Sequence, residues 1–189
     1  MRVSNLFSIL YWAWIVTEVL LQLVTPTVRR HGKLRDRDSL LVLLTVIFGS
    51  FWAAMYYGET HPHNMLAGAQ WLRTVGVALL AAGLAVRWTA VLTLGASFST
   101  NVAIHVTQTL RTSGLFRWVR HPSYTGMLII FAAVGVYERN WVSLAILLIF
   151  PTAALLYRIY VDELALAEAF GSEYIEYRRR TRCLVPLIY

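Results

Sequence analysis

The run Arg120-His121-Pro122-Ser123-Tyr124, together with Arg158 and the acidic pair Asp162-Glu163, gathers chemistry-bearing side chains at the ends of long apolar stretches. Ionisable groups beside hydrocarbon are costly, so such a cluster is a candidate site. Pro122 suits the first turn of a helix. A helix beginning there places free amides and the positive end of its dipole beside Arg120 and His121. That setting suits a carboxylate or another anion, and Ser123 and Tyr124 add hydroxyls. A plainer reading competes, because Arg, His and Tyr often snorkel at helix ends as interfacial anchors.

Arg158 and Asp162 are four residues apart, about one helical turn, on one face. An ion pair within the helix accounts for both and leaves Glu163 free. The functional alternative has Arg158 hold a substrate anion while an acid holds a cationic or hydroxyl-bearing ligand. Glu18 lies inside the first apolar run, with Thr17 and Gln22 nearby. An acid there needs a proton, a partner or a wet cavity. The expectation is that it neutralises an arginine of the bundle; lining a substrate path is the alternative.

His61 and His63 form a His-x-His pair without a third ligand, which reads as solvated loop. Cys183 is the single cysteine, which excludes an intramolecular disulfide and gives no metal-ligand spacing. No glycine-rich phosphate loop, dinucleotide fingerprint or helical zinc motif is present, and no metal is expected.

The elements that must position these residues are membrane helices. Of 189 residues, 58% are hydrophobic and only 14% charged, against about 25% charged in soluble domains. Seven Trp and ten Tyr suit the membrane–water interface. Five apolar segments stand out, at residues 6–24, 40–57, 67–86 (extending towards 94), 124–136 and 141–157. A spanning helix needs about 17–25 residues, so the fourth is short by itself. Tyr137-Glu138-Arg139-Asn140 ties it to the fifth as a tight helical hairpin. Residues 97–119 form a more polar connector, and residues 162–180 an amphipathic helix that Gly171 interrupts. On it Leu164, Leu166, Ala167, Phe170, Tyr174 and Tyr177 share an apolar face. Glu168, Glu173, Glu176 and Arg178–Arg180 face water or head groups.

The net charge of +7 does not point to nucleic acid, because the basic residues fall in loops of one side. Arg29, Arg30, Lys33, Arg35 and Arg37 follow the first segment, Arg111, Arg117 and Arg120 precede the fourth, and Arg178, Arg179, Arg180 and Arg182 follow the fifth. The positive-inside rule then predicts an outer N-terminus and a cytoplasmic C-terminus and site.

Two motif blocks resemble the isoprenylcysteine carboxyl methyltransferase family, and more loosely the phospholipid N-methyltransferases. The first is Thr112-Ser113-Gly114-Leu115-Phe116 followed by Arg120-His121-Pro122-Ser123-Tyr124-Thr125-Gly126. The second is Arg158, Asp162-Glu163, Phe170-Gly171, Tyr174, Tyr177, Thr181 and Pro186. The resemblance covers residues 94–186 and is of the compact prokaryotic kind. It implies a membrane enzyme that uses S-adenosylmethionine. By position, Gln108, Thr109, Leu110 and Arg111 would form a connector strand beside the cofactor, and Phe116 would line its adenosine pocket. His121, Pro122, Ser123 and Tyr124 would approach it from the start of the fourth helix. Glu163, with Asp162, would bind its ribose or amino group, and Arg158 would hold the acceptor carboxylate. Phe116 stands where the family commonly has Tyr, Gln108 where eukaryotic members commonly have His, and Asp162 where a Glu is usual.

The sequence therefore predicts an all-α integral membrane protein of one domain. Five transmembrane helices, the last two a hairpin, carry a cytoplasmic connector and a C-terminal amphipathic helix. Residues 1–94 hold the first three spans and residues 95–189 the cofactor-binding catalytic region, with Arg158 and Glu163 the catalytic pair. The expected reaction is methylation of a lipophilic acceptor, the carboxylate of an isoprenylcysteine-like thioether or a prenylated substrate, among membrane lipids. N-methylation of an amine lipid, an NADPH-dependent sterol-type reduction and a non-enzymatic scaffold are the competing readings. Neither the natural acceptor nor the oligomeric state follows from the sequence.

Overall fold

The computed structural model describes residues 3–24, 35–61, 70–95 and 110–184. Its helices are α1 (Val3–Val24), α2 (Arg35–Thr60), α3 (Trp71–Leu94), α4 (Pro122–Glu138), α5 (Trp141–Phe170) and α6 (Ser172–Arg180), with a short 3₁₀ turn at Gly114–Arg117 before α4. An isolated parallel bridge joins Val119 to Arg182. Residues 3–23, 40–60, 71–94 and 141–170 are long and apolar enough to cross a membrane. The 17-residue α4 completes the bundle but is not among those four.

Packing follows from small residues and aromatic rings. α3 and α4 run antiparallel with their backbones almost touching. A Cβ on Gly83 would lie 3.0 Å from the Gly126 carbonyl, and one on Gly126 2.8 Å from the Arg87 amide. Small residues of this kind let membrane helices approach closely. Leu80, Leu84, Ile130, Phe131, Leu147 and Leu155 fill the core behind that contact. α1 packs across it through Phe7 stacked on Tyr137 and Trp14 edge-on to Phe131. Trp12, Leu23, Phe48 and Trp52 face outward from α1 and α2, as lipid-facing side chains do.

The hairpin at residues 137–140 forms as the sequence predicts. Arg139 takes a left-handed conformation (φ 57°), and the Asn140 side chain accepts from the amides of Val142 and Ser143 to cap α5. The fifth helix corrects the expected boundary. It continues without a break past Tyr157 to Phe170, so Asp162 and Glu163 extend a 30-residue helix rather than begin a new one. No breaker follows Tyr157, and the earlier Pro151 is accommodated in the interior, as bundle helices allow. The break falls at Gly171, whose φ of 54° favours glycine. The continuous helix also turns Leu164 outward, so it does not share the face that buries Tyr174. Glu168, Glu173, Glu176 and Arg178–Arg180 are exposed as expected.

Candidate functional site

The site lies where α4 begins and the far part of α5 passes it. His121 is the N-cap residue and Pro122 the first helical residue of α4. The capping ring does not cap its own helix; it turns to α5. The turn itself is pinned by the C-terminal segment. The Arg120 amide donates to the Arg182 carbonyl (2.8 Å) and the His121 amide to the Cys183 carbonyl (3.1 Å). The Thr125 hydroxyl donates to the Leu184 carbonyl (2.6 Å).

Asp162 and Glu163 are consecutive, so they leave α5 about 100° apart and enter different networks. The Glu163 carboxylate accepts from Arg120 Nε at 2.8 Å. His121 Nε2 lies 3.4 Å from the same oxygen, and Arg178 Nε 3.3 Å from the other. Arg120 also donates to the Thr181 carbonyl. Asp162 accepts from the Tyr124 hydroxyl at 2.6 Å and pairs with Arg158 Nε at 3.2 Å. The His121 and Tyr124 rings stack with centroids 5.7 Å apart, which joins the two networks. The intrahelical Arg158–Asp162 pair forms as one sequence reading has it, but Glu163 is not left free. Arg120 and His121 are not snorkelling anchors either. The His121 side chain is 7% exposed and that of Arg120 10%, because both turn inward to the acid.

The charges here set neighbouring acidities. Burial disfavours the Arg120 cation, yet the hydrogen bond and charge of Glu163 outweigh this and raise its pKa. Burial raises the Cys183 thiol, and nearby Glu163 adds to the effect. Burial pushes Tyr177 up to about 12, while its hydroxyl donates to the Phe116 carbonyl at 2.6 Å. Tyr174 is also raised by burial, then by Glu163. Its hydroxyl is buried and has no hydrogen-bond partner among the described residues.

His121, Glu163 and Cys183 bring ligand-type atoms within 4.8 Å of one another. The spacing of the sequence does not anticipate this. Two guanidiniums already grip the Glu163 carboxylate, and their charge opposes a cation there.

Of the other expected site residues, Pro122 is buried at the helix start. The Ser123 hydroxyl accepts from Arg87. Phe116 is buried beneath Tyr177. Leu110 is half-buried and Arg111 exposed, both outside regular structure. Gln108 and Thr109, half of the expected connector strand, lie outside the described residues, as does His63. Sequence reasoning missed Arg87. It is the buried partner of Glu18, and its signal is the one charge in the apolar extension of the third segment towards residue 94.

An antiparallel helical bundle with acids, guanidiniums and stacked rings gathered at one end defines a multi-span membrane protein with a polar site at the end of its spans. The family model of the isoprenylcysteine carboxyl methyltransferase family matches residues 75–168. Protein-S-isoprenylcysteine O-methyltransferase of Tribolium castaneum is 29% identical over 156 residues, covering 76% of this chain and 52% of the relative. The Arabidopsis thaliana form B is 31% identical over 62% of this chain and 61% of its own. The Homo sapiens enzyme is 30% identical over 62% of this chain and 42% of its own. The chain thus spans about half the length of the curated relatives it matches. A solved eukaryotic intramembrane Ras methyltransferase shares the fold, with a TM-score of 0.61 and 24% identity over 85% of this chain and 55% of that one. The chain belongs to the isoprenylcysteine carboxyl methyltransferase family.

Proposed function

We propose that this protein transfers a methyl group from S-adenosylmethionine to a lipophilic acid, the carboxylate of an isoprenylcysteine-like thioether. The observation that carries the reading is the convergence of Glu163 with His121 and of Asp162 with Tyr124 and Arg158 at one end of the bundle. The relatives named protein-S-isoprenylcysteine O-methyltransferases support it.

The residues present fit the cofactor. Paired acids beside two stacked aromatic rings suit a ligand carrying a sulfonium and an ammonium, since ring faces attract such cations. The buried Tyr174 hydroxyl, near Glu163 and Arg120, has no partner among the described residues. When bound, S-adenosylmethionine supplies a methyl group on a positively charged sulfur. Glu163 and Asp162 would hold its ribose or amino group, and His121 and Tyr124 would flank it. Phe116, Leu110 and Arg111 would border the adenosine. Arg158, held by Asp162, orients the acceptor carboxylate, because its planar fork matches two carboxylate oxygens and stays charged. A carboxylate is already nucleophilic, so alignment and exclusion of water are what the protein must provide. The apolar tail of the acceptor stays among lipid, the N-terminus faces outward, and the site opens to the cytoplasm.

The test is S-adenosylhomocysteine binding by calorimetry in detergent, followed by transfer of labelled methyl to a panel of prenylated thioethers and lipid extracts. Heat of binding and a base-labile label are expected. A base-stable label on an amine lipid would replace the acceptor with a head group. No heat at all would leave a scaffold.

A further inference from the structure

An ion pair inside the membrane bundle calls for an explanation beyond stability. Glu18 of α1 and Arg87 of α3 form a two-pronged pair, with Arg87 Nη2 2.7 Å from Glu18 Oε2 and the Nε prong on Oε1. The Arg87 side chain is 5% exposed. A well-packed apolar pair would often be at least as stable at such a place. The third edge of the guanidinium supplies the reason. Arg87 Nη1 donates to the Ser123 hydroxyl and reaches the Ser123 carbonyl at 3.5 Å. Ser123 stands between Pro122 and Tyr124, in the first turn of α4.

That turn is therefore gripped from two sides. The segment 182–184 holds it through the amides of Arg120 and His121 and the Thr125 hydroxyl. Arg87 holds it from within the bundle, where the Gly83–Gly126 approach brings α3 against it. The Trp88 indole, donating to the Thr17 hydroxyl at 3.3 Å, adds a second tie between α1 and α3 beside the pair. Glu18 lies outside the stretch 75–168 that matches the family model.

We propose that Glu18 and Arg87 are positioning residues that set the orientation of the His121–Tyr124 turn, and so make α1 part of the machinery of the site. This rests on the methyltransferase reading for its activity readout but not for its structural one. Glu18 fixes the Arg87 fork, and the fork fixes Ser123. His121 and Tyr124 on the same turn then meet Glu163 and Asp162 in register.

The experiment compares Glu18→Gln and Ser123→Ala with Phe7→Ala, which loosens α1 at its far end through the Tyr137 stack. Melting temperature, S-adenosylhomocysteine affinity and the alkylation rate of Cys183 by iodoacetamide are read for each. The carbonyl of Cys183 holds the same turn, so its thiol reports on that turn without any cofactor. Glu18→Gln and Ser123→Ala are expected to weaken binding by about tenfold, which corresponds to about 1.4 kcal/mol, and to speed alkylation. Phe7→Ala is expected to lower the melting temperature at least as much while affinity and alkylation stay near wild type. Equal effects of all three on affinity or alkylation, or wild-type behaviour of the first two, would overturn the proposal. A wild-type protein that binds no S-adenosylhomocysteine would sink the methyltransferase reading alone, and the alkylation rates would then decide.

Discussion

The Tyr124 hydroxyl donates to Asp162 Oδ2 at 2.6 Å, across 38 residues of sequence and between the first turn of one helix and the last third of the next. This bond ties the start of α4 to α5 and holds Asp162 against Arg158. In Tyr124→Phe the ring remains to stack on His121, and the acid keeps its pair with Arg158. A hydrogen bond to a charged group contributes about 1.5–3 kcal/mol. The expected result is a melting temperature several degrees lower in detergent and a matching loss in methyl transfer. Wild-type transfer by this variant would remove Tyr124 from the site.

Glu163 balances more positive charge than any one partner supplies. Arg120, Arg178 and His121 all converge on it. Glu163→Ala strands the mostly buried Arg120 cation, and breaking such a pair costs about 3 kcal/mol. Glu163→Gln keeps the shape and an accepting oxygen, so it is expected to fold better while still losing cofactor affinity. Calorimetry with S-adenosylhomocysteine, paired with thermal unfolding, separates the two effects. Equal affinity in Glu163→Gln and wild type would show that the carboxylate charge serves the fold alone.

How much of this was legible in the sequence depends on the range of the contact. The hairpin at Tyr137–Asn140 is a local event, set by a left-handed residue and a capping Asn, and it reads directly. The pairing of Arg158 with Asp162 is also local, one turn of helix. The end of α5 is not, because hydropathy falls after Tyr157 while nothing breaks the backbone until Gly171. Hydropathy reports the surroundings of a helix, not its length. The Glu163–Arg120 pair spans 43 residues, and the bridge of Val119 with Arg182 that aligns it is a single contact with no periodic signature. Glu18 announces its need for a cation by standing in an apolar run, but only packing of α1 on α3 selects Arg87.

Arg158 discriminates between holding the cofactor and holding the acceptor. It is 2% exposed and paired with Asp162, so a lysine there preserves charge but loses the flat fork. Arg and Lys are not interchangeable where a carboxylate is met by two parallel bonds. Arg158→Lys is expected to bind S-adenosylhomocysteine within a few-fold of wild type and to transfer labelled methyl at a small fraction of its rate. A parallel fall in both would place Arg158 with the cofactor instead.

Tyr177 gives the fold an alkaline limit. Burial pushes its phenol from 10.0 up to about 12, so the folded state keeps a proton that the unfolded chain releases. Its contribution is fully present below pH 10.0, where both states are protonated, and is lost as the pH climbs through about 12. Between these values the unfolded chain binds fewer protons, so stability falls with rising pH. Tyr177→Phe deletes the titration together with the bond to the Phe116 carbonyl. The stability gap between wild type and this variant should therefore be widest near neutrality, about 1 kcal/mol for a neutral hydrogen bond, and should close as the pH is raised. Melting temperatures of both proteins, measured in detergent from neutral pH to about pH 11, give the answer. A gap that stays constant with pH would mean that the phenol titrates in the folded protein as it does in the open chain, and that α6 does not bury it against the turn before α4.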